Sequence, residues 1–132
     1  KALASSILNS VGQSLWVADE VMLDAVTALS GSGPAYFFLM IESMSKAGVA
    51  LGLDEKTAQS LSIQTALGAS MMASVSDESP RDLRANVTSP NGTTQAAIES
   101  FQDQNFDMIV AHAMRAAFDR ASKLAVELSD SD

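Results

Sequence analysis

Apolar positions in this 132-residue chain recur mostly at three- and four-residue steps, the spacing of helices that bury one side. The clearest run covers residues 34–51 and places Phe37, Met40, Ile41, Met44, Gly48 and Leu51 on one face. A second, 55–75, carries Ala58, Leu61, Thr65, Gly68, Met72 and Val75 as its stripe. A third, 106–128, aligns Ile109, Val110, Ala113, Ala117, Ala121, Leu124 and Leu128. Shorter helices are predicted over 1–12, over 80–87, and over 93–103 with Ala97, Ile98 and Phe101 apolar. Another opens at Asp19 and Glu20 and runs through Leu29.

The breaks between these runs have chemistry of their own. Ser30-Gly31-Ser32-Gly33 reads as a stop, and Pro34 suits the first position of the next helix. Gly52-Leu53-Asp54 ends one helix and caps another, Ser79-Pro80-Arg81-Asp82 is a start signal, and Asn105 suits a left-handed helix end. Residues 14–18, Ser-Leu-Trp-Val-Ala, are the one short strand the pattern suggests, with no partner strand in the chain. The chain opens at Lys1 inside a helical pattern without a capping residue, so a longer parent protein is expected.

The fold class is therefore all-α, a helical bundle. Its middle helices carry Ala47, Gly48, Ala50, Ala66, Gly68 and Ala69 on more than one face, which lets neighbours approach closely from several sides. A domain of this size rarely encloses helices unaided, and a dimer, interlocked at these helices, would supply the cover.

Composition narrows the function classes. Apolar residues make up 47% and aromatics 5%, and there is no Cys, so neither a disulfide framework nor a thiolate metal site is available. A net charge of −8 argues against nucleic acid, which demands clustered Lys and Arg. No apolar run suits a membrane span and no basic, apolar leader opens the chain, so a cytoplasmic protein is expected. With one His, no metal site is expected; His112 reads as a structural residue and the Met residues as core filling. Arg81 and Arg84 read as members of surface ion pairs, and Asp77, Glu78 and the acidic tail at 129–132 as solvated, frayed or both.

One stretch stands apart: Arg84-Ala85-Asn86-Val87-Thr88-Ser89-Pro90-Asn91-Gly92-Thr93-Thr94. A helix ends there, a turn follows, and a new helix begins at Thr93 or Thr94. The first amides of a helix lack intrahelical acceptors and sit at the positive end of its dipole. Ser89, Thr93 and Thr94 add hydroxyls, so a carboxylate or phosphate finds neutral donors without a Lys or Arg. The same residues equally suit an ordinary helix–helix connection. Residue chemistry alone leaves both readings open.

Residues 24–36, Asp-Ala-Val-Thr-Ala-Leu-Ser-Gly-Ser-Gly-Pro-Ala-Tyr, and the stretch from Leu83 to Thr94 resemble the hallmark segments of pyrroline-5-carboxylate reductases. Gln64-Thr65-Ala66-Leu67-Gly68-Ala69 fits that family's middle helix, and the resemblance extends from Asp24 to the end of the chain. It implies an amino-terminal Rossmann domain that binds NADPH or NADH, followed by a helical domain that interlocks as a homodimer, with rings of dimers common. Residues 1–18 would then be the tail of the first domain, and 19–132 the dimerisation and substrate-binding domain.

The reaction so implied reduces the cyclic imine of pyrroline-5-carboxylate to L-proline. Ser89 and the amides around Asn91, Gly92, Thr93 and Thr94 would hold the substrate carboxylate, and the Thr94 hydroxyl would face the ring nitrogen. Ser32, Gly33 and Pro34 would line the cleft near the nicotinamide. Asn91 departs from the family's usual Gly but tolerates a positive φ. Two other readings remain beside this one: a non-catalytic dimerisation module, and the helical half of another imine or hydroxyacid dehydrogenase. Without a nucleotide-binding half, the chain alone is expected to be inactive.

Overall fold

The computed structural model describes residues 2–129; the expectations for Lys1 and for residues 130–132 lie outside them. Helices α1 (Ala2–Leu8), α2 (Met22–Val26), α3 (Gly33–Ala50), α4 (Glu55–Val75), α5 (Pro80–Asn86), α6 (Thr93–Asp103) and α7 (Phe106–Ser129) make up the fold, and no strand occurs among the described residues. The segment at 14–18 is irregular, which corrects the strand expected there. With no neighbouring strand, its backbone has no ladder to join. Trp16 is instead tied back to α1, its indole N–H donating to the Ser5 hydroxyl at 2.9 Å.

The Ser-Gly-Ser-Gly stretch does not stop the chain either. Residues Thr27–Gly31 form a π-helical turn that carries α2 towards α3, with the Ser32 amide donating five residues back to the Thr27 carbonyl at 2.8 Å. Ser32 itself keeps helical angles (φ −86°, ψ −18°). The Tyr36 hydroxyl, from the first turns of α3, donates to the Ala28 carbonyl at 3.0 Å and fastens the two segments together. Glycine and serine here widen a helix by one residue instead of ending it.

Helices α3 and α4 form a hairpin through a tight connection. The Gly52 amide donates to Val49 O (2.9 Å) and the Leu53 amide to Gly48 O (3.1 Å), the two bonds of a Schellman helix end. Gly52 sits at φ +105°, a conformation that a side chain would strain. Asp54 then caps α4, its carboxylate accepting from the Thr57 amide at 3.0 Å. The Thr57 contacts hold this carboxyl below the usual aspartate range.

Small residues seat the hairpin: a Cβ on Gly48 would lie 3.2 Å from the Ala58 Cβ, and Ala58 and Ser62 are buried. Elsewhere α7 packs on the π turn, on α2 and on α6, and the Ser122 hydroxyl donates to the Asp24 carboxylate at 2.6 Å.

The large apolar side chains behave otherwise. Phe37 is 63% exposed, Leu51 89% and Val75 84%, although each lies on a predicted core stripe. Buried apolar residues are confined to Ala28 and Ala58 among the described residues. The chain exposes 10728 Å². A compact monomer of its 13.8 kDa mass exposes about 6,600 Å² by the size scaling of folded proteins. The difference, about 4,000 Å² on one chain, is more than one chain's share of most obligate interfaces, which cover about 2,000–5,000 Å² over both partners.

Candidate functional site: the turn between α5 and α6

Helix α5 begins as its sequence predicts. The Ser79 hydroxyl accepts from the Asp82 amide (3.2 Å) and donates to the Asp82 carboxylate (2.6 Å). Its end is held by the Thr88 hydroxyl, which donates to Arg84 O at 2.6 Å, and by the Thr88 amide on Ala85 O at 3.0 Å. Arg81 and Arg84 form no ion pair, contrary to expectation: the salt bridges among the described residues are Lys46–Glu42, Arg115–Asp119 and Arg120–Glu127. His112 is exposed on α7 rather than packed.

The chain next reverses through Ser89, Pro90 and Asn91. Asn91 takes φ +58°, the left-handed region that Asn tolerates better than other side chains. Gly92 stands at the N-cap of α6 (φ −87°, ψ 170°) and has no side chain with which to cap it. Its amide, expected among the ligand donors, is turned inward to Ser89 O at 3.0 Å. Its carbonyl accepts from Ala96 at 3.2 Å. A Cβ on Gly92 would come within 3.0 Å of that same Ser89 oxygen, so the turn admits only glycine without shifting.

The amides of Thr93, Thr94 and Gln95 therefore head α6 with no acceptor among the described residues. Among the described residues the hydroxyls of Ser89, Thr93 and Thr94 have no partner either, and Thr94 is half-buried. Three adjacent N–H groups at the positive end of a helix form a neutral anion-binding arrangement.

Gln95 is the residue sequence reasoning missed. Its Oε1 accepts from the Asn91 amide at 2.8 Å, and its Nε2 donates to Glu99 Oε1 at 2.7 Å. The signal was present, since Gln three residues past a cap is the capping-box pattern. Here the side chain reaches one residue further back, because Ser89 O already holds the Gly92 amide.

Ser32, Gly33 and Pro34 sit where the π turn, itself packed on α2, α3 and α7, enters α3, whereas α6 packs on α7. Gly33 is buried, Ser32 half-buried and Pro34 exposed. The connector therefore leaves Ser32 and Pro34 accessible and encloses Gly33.

Comparison with known proteins agrees with the resemblance seen in the sequence. A family model described as pyrroline-5-carboxylate reductase dimerisation matches residues 20–124. A pyrroline-5-carboxylate reductase of Pseudomonas aeruginosa is 54% identical over 125 residues, 95% of this chain and 46% of that protein. One from Haemophilus influenzae is 44% identical, covering 94% of this chain and 46% of its own length. Among solved structures, the reductase of Coxiella burnetii superimposes with a TM-score of 0.90 at 44% identity, over 93% of this chain and 46% of that one. The Plasmodium falciparum pyrroline carboxylate reductase with NADP bound matches with a TM-score of 0.81 at 35% identity, over 90% and 45%. The chain thus spans a little under half the length of these relatives. With its all-helical architecture and both hallmark segments in place, the chain belongs to the pyrroline-5-carboxylate reductase dimerisation family.

Proposed function

We propose that this chain is the helical half of an NAD(P)H-dependent reductase that converts pyrroline-5-carboxylate to L-proline. Residues 1–18 lead in from a nucleotide-binding half, and the bundle carries the substrate site and the dimer contact. The observation that carries the reading is the row of free amides at Thr93, Thr94 and Gln95, flanked by unengaged hydroxyls. Its membership in the reductase family supports it independently.

In this reading Ser89 and the open amides bind the substrate carboxylate, and the half-buried Thr94 places its hydroxyl against the ring nitrogen. A threonine hydroxyl is too weak an acid to protonate an imine alone, so Thr94 orients an iminium or relays a proton from water. The nicotinamide cofactor supplies the hydride when bound, chiefly through the other half. Ser32 and Pro34 line the cleft on its side. Positioning the imine carbon for that transfer accounts for most of the acceleration.

The homodimer belongs to the same proposal. The exposed Phe, Leu, Met and Val side chains on α3, α4 and α7 have a second copy as their occupant, and the excess surface of about 4,000 Å² on one chain is ample for an obligate dimer contact. In sedimentation the domain runs as a dimer at micromolar concentration; a well-folded monomer overturns this part.

The decisive assay follows NAD(P)H oxidation by the two-domain protein with pyrroline-5-carboxylate. Turnover that Thr94→Ala lowers strongly without altering the dimer supports the assignment. Normal turnover in that variant removes Thr94 from the mechanism.

A further inference from the structure

We infer that Gln95 is a positioning residue for the substrate carboxylate, holding the 89–92 turn in the shape that leaves the α6 amides open. The inference rests on the reading of that turn as the carboxylate site.

Three observations combine. Asn91 occupies a left-handed conformation that costs a non-glycine residue about 1 kcal/mol or more, so something must hold it there. The Asn91 amide has one acceptor, Gln95 Oε1, and the bond is short at 2.8 Å. The carboxamide cannot flip without putting its N–H₂ against that amide, and Glu99 fixes the sense by accepting from Nε2 at 2.7 Å.

The result is a relay along one face of α6: Glu99 orients Gln95, Gln95 holds Asn91, and Asn91 sets Gly92 against Ser89 O. Gln95 therefore contributes twice, through its backbone N–H in the open row and through a side chain that keeps the row accessible. Without its acceptor, the Asn91 amide is free to swing towards the anion site or to let the turn relax. In either case the ligand's donors lose their preset geometry before the substrate arrives.

The test is steady-state kinetics on the two-domain protein with Gln95→Leu, Glu99→Ala and the double variant, with Ser89→Ala and Thr94→Ala as controls. Gln95→Leu raises the KM for pyrroline-5-carboxylate about five-fold, the equivalent of one ordinary hydrogen bond, with kcat and the cofactor KM unchanged. Glu99→Ala raises KM in the same direction by less, and adds nothing once Gln95 is Leu, because it acts through that side chain.

A fall in thermal stability with KM unchanged would make Gln95 a helix cap only, and overturns the inference. Additive effects of the two substitutions overturn the relay. Should Gln95→Leu fail to fold, Glu99→Ala, on the exposed side of α6, decides alone: an unchanged KM sinks the proposal. Controls that impair the enzyme while Gln95→Leu does not remove only the role of Gln95. Controls that change nothing remove the site itself.

Discussion

Helices α4 and α6 begin in opposite ways. At α4 the Asp54 carboxylate accepts from the Thr57 amide, and the preceding Schellman turn engages the last carbonyls of α3. One of the leading amides of α4 and the carbonyls of Gly48 and Val49 near the end of α3 thus have partners inside the chain. At α6 the cap is Gly92, which has no side chain, and three amides have no acceptor among the described residues. A capping aspartate or serine is shut out there, because its Cβ would come within 3.0 Å of Ser89 O. A side-chain cap is therefore present at α4 and sterically excluded at α6. The difference separates a junction that only has to hold from one with room for an anion.

Predictions that probe this contrast run from large to small. Thr94→Ala in the two-domain protein is expected to lower kcat about 100-fold or more, the usual scale for a group that handles a proton in the transition state. Unchanged sedimentation would show that assembly is intact. Gly92→Ala forces a Cβ towards Ser89 O and opens the turn, so the KM for the imine rises about ten-fold by loss of preset donors, read in the same assay.

At the closed junction the expected effect is on stability alone. Gly48→Leu overpacks the contact with Ala58 and costs about 1–3 kcal/mol in urea unfolding, compared with the parent chain at one fixed protein concentration. The smallest effect concerns pH. Because its folded pKa is lowered, Asp54 contributes stability that is complete above the ordinary aspartate range and is lost as pH falls through the lowered value. Asp54→Asn retains an acceptor oxygen, so a shallower acid limb in its stability profile is the expected result.

Much of this was legible because local rules and tertiary structure agree. The apolar period placed α4 and α6 at their observed residues, and Ser79 and Asp54 cap as their types require. Asn105 takes φ +56° at the end of α6, as an Asn in that position suggests.

The failures have physical causes. Residues 30–33 carry the composition of a break, yet a π turn uses the same flexibility to stay helical, and no period-based rule distinguishes the two. Residues 14–18 have strand composition without a strand to pair with. Phe37, Leu51 and Val75 lie on stripes whose chemistry calls for burial, and a single chain does not provide it. The turn at 89–94 was found from its residue types, but the inward Gly92 amide and the Gln95 brace depend on backbone angles that residue types do not specify.

A chain whose own interior, among the described residues, amounts to two alanines, a serine and a glycine has no folding free energy that can be quoted by itself. If a twin supplies the remaining interior, each loss of structure is also a dissociation, and the melting temperature rises with the amount of protein in the cuvette. Substitutions far from the turn would then act on catalysis through dilution, by changing how many paired subunits exist at working concentration.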